Sequence, residues 1–150
     1  MTTKNTMGKL VSTTVAGQQE GITLQTLVSR LVAGIVPVAV RGNNFLVNDI
    51  PAGLQVHADA AMVTTVLDNL FTSIVPYVQN SCIRITAKVY GNVVLVQLRD
   101  HTGINSYFIE QHLTASQPMA EKMGGYIGVT SQRDKETTIV FSFPNIRAVA

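Results

Sequence analysis

Cys82-Ile83-Arg84-Ile85-Thr86-Ala87-Lys88-Val89-Tyr90-Gly91-Asn92-Val93-Val94-Leu95-Val96-Gln97-Leu98-Arg99-Asp100 is the stretch that decides the fold. In its first half Ile83, Ile85, Ala87 and Val89 alternate with Arg84, Thr86 and Lys88, the two-residue period of a strand with one buried face. Gly91-Asn92 reads as a two-residue hairpin turn. Val93 to Arg99 returns as a mostly buried strand, and Asp100-His101-Thr102-Gly103 opens a turn. So short a connection joins antiparallel strands only, because parallel strands need a long crossover.

Upstream, Met62, Val63, Val66, Leu67, Leu70, Phe71 and Ile74 recur at helical spacing behind Asp59, a residue suited to cap a helix, and Pro76 compromises the last turn. Phe45-Leu46-Val47 and Leu54-Gln55-Val56-His57 read as short strands around the turn Asp49-Ile50-Pro51-Ala52-Gly53. Before them Leu24, Leu27, Val28, Leu31 and Val32 mark a helix expected to end between Gly34 and Pro37, since proline lacks the amide donor and restrains its predecessor. Downstream, Ile104–Leu113 and Ser116–Met123 read as short helices, the second stopped by Gly124-Gly125. A last hairpin pairs Tyr126–Ser131 with Thr137–Phe143 around Gln132-Arg133-Asp134-Lys135. Strand pairs separated by helices predict an α+β fold, a two-layer α/β sandwich whose mixed, mostly antiparallel sheet carries its helices on one face. The expected division is an N-terminal tail over 1–21, with Lys9 to Val15 offering an edge strand, a domain over 22–144 and a C-terminal tail over 145–150.

Composition bounds the rest. The chain has 150 residues, 46% of them hydrophobic and 13% charged, which supports a real core and excludes a disordered or low-complexity class. A surface so poor in charge favours an interface with a partner or a second copy, and Leu24, Leu27 and Leu31 are the expected interface residues. Eleven basic against nine acidic residues give a net charge of +2 with no basic stripe, which argues against nucleic acid. Cys82 stands alone, and His57, His101 and His112 have no metal-ligand spacing. The longest apolar run, Leu31 to Val40, is interrupted by Gly34 and Pro37 and is short of a membrane span of about 20 residues. No secretory leader is evident, so a cytoplasmic location and no membrane partner are expected.

Phosphate-binding glycine loops of the Gly-x-x-x-x-Gly-Lys-Ser/Thr and Gly-x-Gly-x-x-Gly kinds are absent, as is the nucleophile elbow Gly-x-Ser-x-Gly. What remains is a set of polar residues interrupting apolar elements. Asn69 and Ser73 are four apart and project from one helix face, while Asp100 ends a buried strand ahead of Gly103. Either these converge on a cleft between the layers, or Asn69 and Ser73 face solvent and Asp100 serves a local turn.

Four segments in order resemble the ATP-binding domain of sensor histidine kinases, the GHKL or Bergerat fold. Leu67-Asp68-Asn69-Leu70-Phe71-Thr72-Ser73-Ile74-Val75-Pro76-Tyr77 is similar to the N box, Leu-x-Asn-Leu-x-x-Asn-Ala-x-x-Tyr. Val96-Gln97-Leu98-Arg99-Asp100-His101-Thr102-Gly103-Ile104 resembles the strand and G1 box, Asp-x-Gly-x-Gly. Met119 to Val129 resembles the helix, Gly-Gly and strand that follow the ATP lid, and Thr138 to Pro144 resembles the closing strand. The resemblance covers about residues 22–144.

It implies that Asn69, Ser73, Tyr77, Asp100, Gly103 and Met119 line a nucleotide site for ATP or ADP, with Asp100 accepting the adenine amino group. Ser73 stands where the family has its Mg²⁺-holding asparagine, and a hydroxyl is a poorer ligand for that cation. Asn69 stands where the ATPase branch carries a general-base Glu, which implies no hydrolysis. Ala115-Ser116-Gln117-Pro118 replaces the glycine-rich G2 box, so main-chain amides for a triphosphate are missing there. No histidine lies on a long helix ahead of the domain to accept phosphate. The resemblance therefore implies a degenerate, stand-alone signalling protein that binds a kinase helical hairpin, a response regulator or itself. A kinase or phosphotransfer component working in trans, and an adenine-nucleotide sensor without catalysis, are the alternatives.

Overall fold

A computed structural model describes residues 21–100, 106–132 and 136–147, with the backbone alone for 106–108 and 131–132. The Lys9–Val15 edge strand, Gly103 and the hairpin tip at 133–135 lie outside the described residues. In chain order the elements are α1 (Leu24–Arg41), β1 (Phe45–Asn48), α2 (Ala60–Ile74), a 3-10 turn (Val75–Tyr77), β2 (Cys82–Tyr90), β3 (Val93–Asp100), α3 (Ser106–His112), α4 (Ser116–Lys122), β4 (Tyr126–Gln132) and β5 (Glu136–Pro144). They form an α+β fold around one mixed five-stranded sheet in the order β1-β2-β3-β5-β4.

The sheet follows from the alternation in sequence. Ile83, Ile85 and Ala87 of β2, Val94, Val96 and Leu98 of β3, and Ile139, Phe141 and Phe143 of β5 are buried on the face toward the helices. The register lines them up across three strands, with Ile85 opposite Leu98 and Leu98 opposite Ile139. The other face carries the exposed Arg84 and Lys88 and the half-buried Thr86, Gln97 and Arg99. Val89, expected on the buried face, is 56% exposed, because β2 runs on toward its hairpin turn beyond the apolar cluster. Gly91 takes φ +59° in that turn, the left-handed region where a glycine has no Cβ penalty.

Helix α2 is the central helix of the second layer. Asp59 accepts hydrogen bonds from the amides of Ala61 and Met62 at 2.9 and 3.3 Å, as expected of a cap. Val63, Val66, Leu67, Leu70, Phe71 and Ile74 form its buried stripe. Each such side chain withdrawn from water contributes about 1.5–3 kcal/mol. Ahead of α2, Asn145 locks the chain: its Oδ1 accepts from the amides of His57 and Ala58 at 2.7 and 3.1 Å, and its Nδ2 donates to the Gln55 carbonyl at 2.9 Å. Asn145 is therefore a tie between the end of β5 and the start of α2.

Four other expectations are corrected. The segment Leu54–His57 is no strand: it makes a single bridge, Gln55 to Thr23, because Asn145 takes the backbone groups that a neighbouring strand would use. β1 is not half of a hairpin but pairs parallel with β2, Phe45 opposite Cys82, with α2 as the crossover. Finally, α1 runs through Pro37 to Arg41. Ala33, whose carbonyl loses its donor to the proline, is exposed together with Pro37, so water can satisfy that carbonyl, while Ile35 and Ala39 on the opposite face are buried. The extended helix has 18 residues and a mean hydropathy of 1.4, so within the described residues it alone is long and apolar enough to cross a membrane by length and composition. Its residues Leu24 and Leu27 are 0% and 3% exposed. They belong to the chain's own core and cannot form an interface, and Leu31 is half-buried against the same cluster.

Candidate functional site

The polar residues singled out from the sequence lie on the C-terminal half of α2, a helix that packs against α3 and α4, and at the end of β3. Asp100 is the last residue of β3 and is 5% exposed, on the helix-facing side that Val94, Val96 and Leu98 also occupy. It pairs in the ladder with Ile83 and Thr137, and Thr137 is 1% exposed. Asn69 and Ser73, a helical turn apart on α2, are both half-buried.

Asn69 is engaged by a residue that sequence reasoning left out of the site. Its Oδ1 accepts a hydrogen bond from Ser116 Oγ at 2.5 Å, and Ser116 is fully buried at 0% exposure. The available signal was that a half-buried amide on an otherwise apolar face needs a partner. The Ser116 amide is used as well, donating to the Leu113 carbonyl at 3.0 Å. Helix α4 begins at Ser116 with no side-chain cap on Ala115, and its third residue is Pro118, which has no N–H. Of the first three helical amides, only that of Gln117 is left, whereas a phosphate at a helix start is held by several at once.

The rest of this segment is anchored by apolar contact. Ile109 and Leu113 are 1% and 4% exposed and belong to the core cluster. Tyr77 is 57% exposed, and its ring lies against that of His112 with centroids 4.3 Å apart and planes at 46°. Met119 sits further along, over the first half of α2. With Ala61, Met62, Thr65, Val66 and Lys122 it lines a small cavity of about 260 Å³. That cavity contains neither Asn69, Ser73 nor Asp100. The structure thus joins Asn69 to Ser116 and Tyr77 to His112, while Met119 lines a cavity over the start of α2. Among the described residues no group of three or more His, Cys, Asp or Glu side chains could hold a metal ion.

Gly124-Gly125 follows α4 for backbone reasons. Gly124 has φ +79° and donates to the Glu121 carbonyl at 3.0 Å, while Gly125 donates to that of Ala120 at 2.8 Å. These are the two bonds of a Schellman cap. A Cβ on Gly125 would lie 2.4 Å from the Ser142 carbonyl oxygen, so the glycine also permits β4 to start close against β5.

A mixed, open five-stranded sheet with helices packed on it is the fold of histidine kinase catalytic (ATPase) domains. The catalytic domain of histidine kinase ThkA matches with a TM-score of 0.70 at 17% identity, over 83% of this chain and 94% of that one. The histidine kinase AdeS of Acinetobacter baumannii matches with a TM-score of 0.70 at 12% identity, over 83% of this chain and 66% of that one. Full-length ShkA, solved in complex with AMPPNP, gives 0.66 at 16% identity, over 86% of this chain but 31% of its own length. ThkA has also been solved with the response regulator TrrA, where the likeness spans 41% of the kinase chain. No protein-family model matches the sequence, and no curated protein matches it. At such identities the shared feature is the fold, and a fold does not carry its activity with it.

Proposed function

We propose that this chain is a signal-transduction protein that uses a histidine-kinase-type fold to bind another protein and does not transfer phosphate. The observation that carries this reading is the start of α4. Ser116 is buried and hydrogen-bonded to Asn69, its amide is committed to Leu113, and Pro118 offers no donor. A triphosphate does not fit such a start, because nothing there replaces the hydration its oxygens would lose. Ser73 in place of an asparagine removes the amide oxygen that the family uses for Mg²⁺. The sensible partners are those of the fold: a kinase helical hairpin, a response regulator such as the one solved with ThkA, or a second copy.

One observation favours a second reading. Asp100 keeps a buried position facing the helix layer, where a carboxylate can accept an adenine amino group. Residues 22–144, taken as the domain, would then sense adenine nucleotide with the phosphates left in water. Calorimetric titration with ATP, ADP and adenosine, with and without Mg²⁺, separates the readings. The binding-module reading expects no heat with any of them. Equal affinity for all three, insensitive to Mg²⁺ and lost in Asp100→Asn, would establish the sensor. Tight Mg²⁺-dependent ATP uptake would instead mean a kinase acting in trans.

A further inference from the structure

The free edge of the sheet at β4 is half closed and half open. In an antiparallel pair the backbone groups of alternate residues point away from the neighbouring strand. Just ahead of β4 the outward amide of Gly125 goes to Ala120, and within β4 the first outward residue is Ile127. Ile127 is clamped by the side chain of Gln117: its amide donates to Oε1 at 2.9 Å, and its carbonyl accepts from Nε2 at 2.8 Å. One carboxamide thus stands in for a residue of an adjoining strand. The two-residue period makes Val129 next, and no described residue bonds to its outward amide and carbonyl. Beside it opens a cavity of about 570 Å³ between α3 and β4, lined by Leu113, Thr114, Val129, Thr130 and Tyr126, with Glu110 the single charged residue in its wall among the described residues.

We propose that this edge, from Val129 toward Gln132, takes an extended peptide segment of a partner protein that carries a lysine or arginine opposite Glu110. Strand addition satisfies the unpaired main-chain groups and gives affinity, while the cavity reads alternate side chains. Its volume lies in the range of ligand clefts, about 300–1,000 Å³. Charge decides the occupant. A basic side chain complements Glu110, which is exposed and has no opposite charge among the lining residues. A second copy is disfavoured, because pairing two β4 edges would bring two Glu110 carboxylates and two Gln117 clamps into one seam. The clamp also sets the register, since it blocks Ile127 and leaves Val129 as the first open pair. This surface lies outside the Asn69–Asp100 region and is available whether or not a nucleotide binds there.

The probe is a labelled nonapeptide of alternating threonine and valine with a central lysine, read by fluorescence anisotropy without nucleotide. Binding is expected to weaken at least tenfold when the central residue is glutamate, and at least tenfold when alternate amides are N-methylated. Glu110→Lys, a surface change, should reverse the preference between the lysine and glutamate peptides. Val129→Pro removes the outward donor while its bonds to β5 need no amide at that position, so it should weaken the lysine peptide tenfold with an unchanged circular dichroism spectrum. No saturable binding of the lysine peptide, equal binding of the N-methylated peptide, or indifference to Glu110→Lys overturns the proposal. A dimer in sedimentation that Val129→Pro dissolves also overturns it, by giving the edge to a second copy.

Discussion

The two halves of α2 are held in different ways. At its start, Asp59 caps the helix and Asn145 grips three backbone groups of the preceding segment. Toward its end, Asn69 is tied to Ser116 through one bond between two side chains. Partners of the first kind are main-chain atoms, present whatever the sequence, so the anchor depends on two residues only. The second depends on both partners being kept. An anchor made to backbone tolerates change in its neighbours, whereas a bond between two side chains is lost when either is exchanged.

Four substitutions test that contrast. Asn145→Ala is expected to have the largest effect, about 2–3 kcal/mol by chemical denaturation, because three backbone partners lose their bonds together. A loss below about 1 kcal/mol would mean that water replaces the clamp. Ser116→Ala should cost about 1–2 kcal/mol, and a double-mutant cycle with Asn69→Ala should return a coupling of about 1 kcal/mol. Zero coupling would mean that Ser116 is held by packing and that its bond to Asn69 is incidental. Asp59→Ala should cost about 1 kcal/mol, the usual worth of such a cap. A coupling between Asp59→Ala and Asn145→Ala as large as that between Ser116→Ala and Asn69→Ala would mean that the start of α2 is also held through paired side chains.

What could be read from the sequence divides along the same line. The hairpin over Cys82–Asp100, the α2 stripe, the Asp59 cap and the Gly124-Gly125 stop were legible because each is set by neighbours a few residues away. The fold class followed from their order. The passage of α1 through Pro37 was not legible, since it depends on which side of the helix faces water, and that is fixed by packing against α2. Nor was the misplacement of Leu24 and Leu27 avoidable from periodicity, which shows that a stripe is apolar without saying what covers it. The site was legible only as a set of residues. Asn69, Ser73 and Asp100 stood out as polar interruptions, whereas Ser116 and Gln117 were read only as a helix start without the glycines of the family, and their bonds to Asn69 and Ile127 come from tertiary packing.

The parallel pairing of β1 with β2 bears on the order in which the molecule assembles. Two of the sheet's seams are hairpins, β2 with β3 and β4 with β5, and local closure lets such pairs form within microseconds. β1 can join only after α2 has been laid across the sheet, so its contacts carry the entropic cost of a long closed segment. Stopped-flow kinetics should therefore show Val96→Ala slowing refolding and Leu46→Ala chiefly hastening unfolding, the pattern of an early central seam and a late border strand. On that schedule a nascent chain exposes the β1 side of the sheet longest, and it is the border a chaperone would meet first.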